Sequence, residues 1–327
     1  MHALYPWLNE TFSRLAEGVR QGRLPHALLL TGPEALGKGR LARRLAQRVL
    51  CHQPLEDGQP CGQCASCRPF LVGAHPDLTE MMPEEPGKPI RVDAVRDFTA
   101  ALQLTSQFGV GKVGLIEPAD AMNVAAANAL LKTLEEPSAG TFILLVTAHP
   151  ARLPITLRSR CQRWTVPTPG RDEAMAWLAR QPRVAGEDHG LLLDLVEGRP
   201  LAALEMAAPE QLAQRTRWLE SLLHLLRAGG NPLAVAATID KATLPDLVHW
   251  STLLVTDLLR VQSGSTMLVN RDLADALRPL ARRLDARALF SLYDHLIELS
   301  RLVTHPLNRD LLLEDLLLRF DRLGGRP

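Results

Sequence analysis

The sequence predicts an α/β nucleotide-binding domain on a mainly parallel sheet, followed by an all-helical C-terminal half. Three observations predict it. Short apolar runs alternate with helical patterns as far as Val166. A phosphate-loop pattern, Gly32 to Gly39 (GPEALGKG), stands between the first of those runs and the helical pattern that follows. After Pro167, Pro169 and Gly170 the strand signal stops and Leu-rich helical patterns take over. Alternation of this kind argues for parallel strands joined by helices.

The elements follow in order. His26–Thr31 (HALLLT) reads as a buried strand entering a turn at Gly-Pro. Arg40–Leu50 carries Leu41, Leu45 and Val49 at helical spacing. Asp77–Met82, Lys112–Ile116, Thr141–Thr147 and Gln162–Val166 are further strands, with helices at Asp93–Gln103 and Asn123–Glu136 between them. Three short helices follow at Asp172–Arg180, His189–Glu197 and Pro200–Ala207. Beyond Pro209, Trp218, Leu222, Leu225 and Leu226 share one helical face, as do Leu292, Leu296 and Leu299. This gives three regions: 1–167, 168–207 and 208–327.

Composition narrows the function. The 327 residues are 46% hydrophobic and only 4% aromatic, so cores of Leu, Val and Ala are expected, which favours helix. With 37 basic and 36 acidic residues the net charge is +1. A chain that wraps nucleic acid alone carries a basic excess, so any DNA contact here is expected to be local or shared. A stand-alone nucleic-acid binder is disfavoured for the same reason. Met1–Glu10 lacks the basic start and apolar core of a secretory signal, and no apolar run is long enough to span a bilayer. A soluble cytoplasmic protein is expected.

Cys51, Cys61, Cys64 and Cys67 are spaced C-x9-C-x2-C-x2-C. Two CxxC steps gather three thiolates on tight turns, and Cys51 can supply the fourth corner of a zinc tetrahedron. Gly58, Pro60 and Gly62 allow those turns. The competing readings are free thiols or disulfides, and the latter suit a reducing cytoplasm poorly. Four thiolates leave no position open to water, so a structural zinc module is expected at 51–67, with His52 or His75 as substitute ligands. Cys161 stands apart as a core residue.

Gly32, Gly37 and Lys38 match every defined position of G-x-x-x-x-G-K. The loop amides would hold an anion and Lys38 would reach the β- and γ-phosphates. The next position should be Ser or Thr, whose hydroxyl binds magnesium, and here it is Gly39. A partner strand should end in Asp-Glu, for magnesium and for the attacking water. This strand ends Leu115, Ile116, Glu117, Pro118. Glu117 is anionic but one methylene longer than Asp, and Pro118 carries no acid. With both groups missing, no intrinsic ATP hydrolysis is expected, and ATP binding is expected to be weak or absent.

Asn128–Pro137 (NALLKTLEEP), Leu157–Cys161 (LRSRC), the degenerate phosphate loop and the four-cysteine insert together resemble the bacterial AAA+ clamp-loader subunits of the DNA polymerase III holoenzyme. The resemblance covers the whole length. It implies an AAA+ module, a small helical lid at 168–207 and a helical collar at 208–327 that closes an oligomer. It also implies that Ser159-Arg160-Cys161 is the arginine-finger motif, with Arg160 entering the ATP site of an adjacent subunit and Arg158 as the alternative in another register. Thr147 falls where the first sensor residue is expected. Leu201 falls where active members carry a sensor Arg, with Arg199 two residues early.

The leading reading is therefore a non-motor clamp-loader subunit. Its partners would be the gamma and tau motors, the delta subunit that opens the sliding clamp, and the clamp and primer-template DNA through the complex. The alternative is an active motor, with Glu117 on magnesium and an acid such as Asp120 activating water. Thr156 and Ser159 are expected to cap the short helix presenting Arg160. Glu135 and Glu136 end their helix where a carboxylate costs about 0.3–1 kcal/mol each. An outside partner for them is expected, and the sequence does not name it.

Overall fold

The computed structural model describes residues 3–85, 87–303 and 307–325. It divides into two compact units, Met1–Glu173 and Ala174–Pro327.

The first unit holds α1 (Asn9–Arg20), β1 (Ala27–Thr31), α2 (Lys38–Leu50), α3 (Cys67–Leu71), β2 (Leu78–Met81), α4 (Val92–Gln103), β3 (Lys112–Ile116), α5 (Val124–Glu135), β4 (Thr141–Val146), α6 (Ile155–Arg158) and β5 (Gln162–Thr165). The five strands form one sheet in the order β2-β3-β4-β1-β5, every pair parallel. Strands covered on both faces have no polar side to show. Every residue of β1 and β3 is buried accordingly, which is why they read as unbroken apolar runs. Gly114 in β3 has a packing reason, since a Cβ there would meet Phe98 of α4 at 2.5 Å.

Two predicted strands begin late because their first residues do other work. His26 turns its Nε2 to the Leu134 carbonyl at the end of α5, at 2.9 Å. Asp77, fully buried, accepts from Ser106 Oγ and from the Gln107 and Phe108 amides at 2.8–2.9 Å. Two helices went unread in the sequence, α1 and α3. The first was legible, because Thr11, Phe12, Leu15 and Ala16 make a buried stripe at helical spacing.

The second unit holds α7 (Arg171–Leu178, whose first turn lies at the division), α8 (His189–Leu195), α9 (Pro200–Met206), α10 (Pro209–Ala228), α11 (Pro232–Ala237), α12 (Leu244–Gln262), α13 (Ala274–Ala281), α14 (Ala286–Leu302) and α15 (Arg309–Gly324). The stripes read from the sequence are buried, and one continuous apolar cluster runs from Ala174 to Phe320 through all of these helices. Polar anchors fix its register. Trp218 donates from Nε1 to the Leu247 carbonyl and to Ser251 Oγ, at 3.1 and 3.0 Å. Buried Arg215 reaches Asp272 and Asn270, and Asn270 in turn donates to Asp257. Among the described residues no helix is long and apolar enough to cross a membrane.

Candidate functional site

The phosphate loop leaves β1 at Gly32 and enters α2 at Lys38. Gly37 sits at φ 80° in the left-handed region, and a Cβ there would also strike the Tyr5 ring at 2.6 Å. Both reasons require glycine. The N-terminal segment covers this turn. Tyr5 stacks on Trp7 with ring centroids 5.0 Å apart, the Arg40 guanidinium lies 4.0 Å over the Tyr5 ring, and Trp7 Nε1 donates to the Leu36 carbonyl. Sequence reasoning missed this cover, although two aromatics so close together in an aromatic-poor chain were a usable signal.

Lys38 is buried and bends back on its own loop, its Nζ donating to the Pro33 carbonyl at 2.6 Å. Burial lowers its pKa, against the opposing pull of Glu34, Glu117 and Asp120. Glu117, just past β3, lies where a side chain on residue 39 would start. A Cβ on Gly39 would lie 2.0 Å from Glu117 Oε1. The carboxylate is held from outside by Arg43, whose Nη1 lies 3.4 Å from Oε2 while its Nε donates to Glu80 at 2.7 Å. Burial raises the Glu117 pKa, and Arg43 and Lys38 pull it back only in part. Pro118 is exposed and offers no acid. These residues depart from the ordinary magnesium–nucleotide pattern at positions 39 and 118. The Glu117 carboxylate stands against the start of α2, and Pro118 puts no acid at the next position.

Asp120, the acid weighed as a substitute base, is already committed. Buried Thr147 donates to it from Oγ1 at 2.5 Å, and Arg152 lies 3.9 Å away. Thr147 Oγ1 also accepts the His149 amide at 2.9 Å, and His149 Nε2 lies 3.1 Å from Glu34 of the phosphate loop, so the loop after β4 is pinned beside it. In the second unit, Leu201 lies in the first turn of α9, and Arg199 precedes that helix with its Nε on the Val196 carbonyl at 2.8 Å.

The Arg motif departs from expectation in two respects. α6 is only four residues long, and Arg160 lies two residues past its end rather than on it. Pro154 precedes the helix without a side-chain cap, because Thr156 is inside the helix and Ser159 follows it, donating from Oγ back to the Thr156 carbonyl. Leu157 is fully buried and holds this turn against the α5 core, where Leu130 and Leu134 belong to the same cluster. Arg160 is exposed, Arg158 half-buried. Arg160 Nε donates to Glu135 Oε1 at 2.6 Å and its Nη1 to the Thr156 carbonyl at 2.9 Å. Glu135 thereby finds the outside partner its place at a helix end calls for. Cys161 is half-buried against the same core, and burial pushes its thiol up to about 12.

The four cysteines converge. Their Sγ atoms lie within 4.8 Å of one another, and Cys51 and Cys61 are 3.7 Å apart. Tetrahedral zinc with bonds of about 2.3 Å sets sulfur–sulfur edges of about 3.8 Å, whereas a disulfide needs about 2.05 Å. The amides of Cys61, Cys64 and Cys67 point at Cys51, Cys61 and Cys64 sulfurs at 3.3–3.4 Å, the donor set that stabilises thiolates. Burial raises the Cys51 and Cys67 thiols, whereas at Cys64 burial is outweighed by backbone donors from Cys67 and His52, which bring it down to about 6. Neither histidine considered as a ligand joins the set. His75 accepts the Asp77 amide on Nδ1, so its proton is on Nε2, facing Ser66 Oγ at 2.8 Å, and Ser66 donates to the Leu50 carbonyl. His52 turns its ring toward Phe108. The cluster can hold one metal ion.

Known proteins align with both halves of the chain. A family described as "DNA polymerase III, delta subunit" matches residues 7–169, and its C-terminal counterpart matches residues 209–322. The "DNA polymerase III subunit delta'" of Pseudomonas aeruginosa is 37% identical, covering 99% of each chain. The protein of that name from Escherichia coli K12 is 34% identical over 97% of this chain and 95% of its own. The "DNA polymerase III subunit tau" of E. coli K12 is 37% identical over 45% of this chain and 22% of its own length.

Proposed function

The chain belongs to the family of DNA polymerase III delta-prime subunits, and on that premise we propose that it is the non-motor member of a clamp loader that completes a neighbouring ATP site. A clamp-loader subunit of this kind has no need of its own hydrolysis. The observation that carries the non-motor reading is the Glu117 carboxylate lying where the first carbon of a side chain on residue 39 would stand, the side chain that should bring the magnesium-binding hydroxyl. Arg160, exposed beyond α6, is the residue assigned to act in trans, stabilising charge on the phosphoryl group transferred in a gamma or tau motor. Ser159 and Cys161 complete the motif and hold its turn.

In this reading the helices at 168–207 act as the lid and those at 208–327 as the collar that joins the oligomer. The delta subunit opens the sliding clamp, and the assembled complex delivers it to primer-template DNA in the cytoplasm. Structural zinc on Cys51, Cys61, Cys64 and Cys67 keeps the insert after α2 folded. The chain itself contributes no nucleotidyl transfer and serves a polymerase holoenzyme that does.

An ATPase assay tests the proposal, on the purified chain first and then on the complex assembled with its motor subunits. The expected result is no turnover alone, and a complex rate that depends on Arg160. Turnover by the pure chain that disappears in Lys38→Ala would overturn it in favour of an active motor.

A further inference from the structure

We propose that Glu135 is a positioning residue for Arg160: it holds the guanidinium by its flank and leaves the tip free to reach a phosphoryl group. The inference rests on the reading of Arg160 as a trans-acting finger.

Arginine carries five N–H donors in a planar fork. Here Nε donates to Glu135 Oε1 at 2.6 Å, Nη2 lies against the same oxygen, and Nη1 donates to the Thr156 carbonyl at 2.9 Å. Two of the five hydrogens are spent in these hydrogen bonds, and N–H groups remain on both Nη1 and Nη2, the two nitrogens through which a guanidinium grips phosphate bidentately. Glu135 therefore does not have to be displaced for Arg160 to act.

The carboxylate itself stands on a stiff base. Glu135 is the last residue of α5, and the preceding carbonyl, Leu134 O, is tied to His26 Nε2 at 2.9 Å just before β1. Leu134 and Leu157 are buried in one cluster, so the end of α5 and the turn that carries Arg160 move together. A free arginine beyond a four-residue helix would sample many rotamers, and each would have to be given up on engaging the neighbour. Side chain and backbone restraints of this sort remove that cost in advance. The placement also explains an otherwise unfavourable one, since a carboxylate at a helix C-terminus is repelled by the helix dipole unless a cation stands beside it.

The test uses the assembled complex with Glu135→Gln, Glu135→Asp, Arg160→Ala and the Glu135→Gln/Arg160→Ala pair. Glu135→Gln is isosteric and exposed, so folding and assembly are retained. The expected result is a kcat lower by about two- to five-fold, the worth of an exposed ion pair, with KM for ATP unchanged. Glu135→Asp should recover part of the loss, and Glu135→Gln should add nothing once Arg160 is alanine. An unchanged or faster Glu135→Gln complex, or full additivity in the pair, overturns the positioning role while leaving Arg160 in place. An inert Arg160→Ala instead removes the trans reading itself, and the positioning role with it.

Discussion

Glu117 and Gly39 compete for one volume: the two carboxylate oxygens lie 2.0 and 2.1 Å from where the first side-chain carbon of residue 39 would be. The missing hydroxyl at 39 and the longer acid at 117 are therefore coupled, while the acid absent at Pro118 is a separate defect. Glycine at 39 leaves room for the longer acid, and a side chain at 39 would make the Glu117 carboxylate swing aside.

That coupling is measurable. Gly39 lies in the first turn of α2, where alanine would gain up to about 1 kcal/mol in helix propensity. With Glu117 in place the gain should vanish, because the carboxylate must leave its contact with Arg43 to make room. Gly39→Ala is expected to be neutral or destabilising by about 1 kcal/mol in the parent and stabilising in a Glu117→Ala background. Urea denaturation of the four proteins gives a coupling of about 1 kcal/mol or more if the reading holds, and additivity would contradict it.

The same carboxylate sets a pH dependence. Burial raises the Glu117 pKa above its ordinary value of 4.5. A raised acid binds its proton more tightly in the folded state, so its contribution favours folding below pH 4.5 and is lost as pH rises through the folded value. Glu117→Gln cannot ionise. It should be at least as stable as the parent at neutral pH, and the difference should shrink as the pH falls toward 4. Denaturation midpoints across pH 4–8 read this directly, and a Gln variant that loses stability uniformly would show that Arg43 outweighs burial.

How much of this was legible depended on chain locality. The strand–helix order, the phosphate loop and the cysteine spacing are local patterns, and the sheet and sulfur cluster follow them. Pairings across the chain were not legible. Nothing near Glu135 announces Arg160, twenty-five positions on, and nothing near Gly39 announces Glu117. The cover over the phosphate loop failed for another reason: Tyr5 and Trp7 precede the first apolar run, in a segment read only for a signal peptide. The capping expectation at Thr156 and Ser159 failed because α6 starts at Ile155, behind Pro154, and ends at Arg158, which leaves Thr156 inside it and Ser159 after it.

Metal removal should loosen one insert and spare the sheet. The four sulfurs run from Cys51, just after α2, to Cys67, the first residue of α3, outside the strand order. Elemental analysis of protein purified without chelator is expected to give one zinc per chain. Chelation, or Cys64→Ser, should lower the melting temperature by about 5–10 °C, corresponding to a few kcal/mol at about 2–4 °C per kcal/mol, with far-ultraviolet dichroism nearly unchanged. Acidification should release the metal as thiolates take up protons. Metal-free protein with the parent's melting temperature would remove zinc from the account.

Arg160 and Arg158 make opposite predictions, which is what lets the trans assignment be tested cleanly. Arg160 is exposed, and its loss forfeits one surface pair with Glu135, so Arg160→Ala should cost no more than about 1 kcal/mol. Arg158 is half-buried, so removing its stem should cost more through lost packing. In the assembled complex the order should reverse. A trans finger is worth about 10³ to 10⁵ in rate at the site it serves. A complex with several ATP sites would lose only part of its total turnover, while clamp loading falls further if every site must fire. Arg158→Ala should leave turnover near the parent value. Measuring melting temperature and ATPase rate for both variants separates the two effects. An Arg160→Ala complex that assembles and turns over at the parent rate, beside an impaired Arg158→Ala complex, would transfer the role to Arg158.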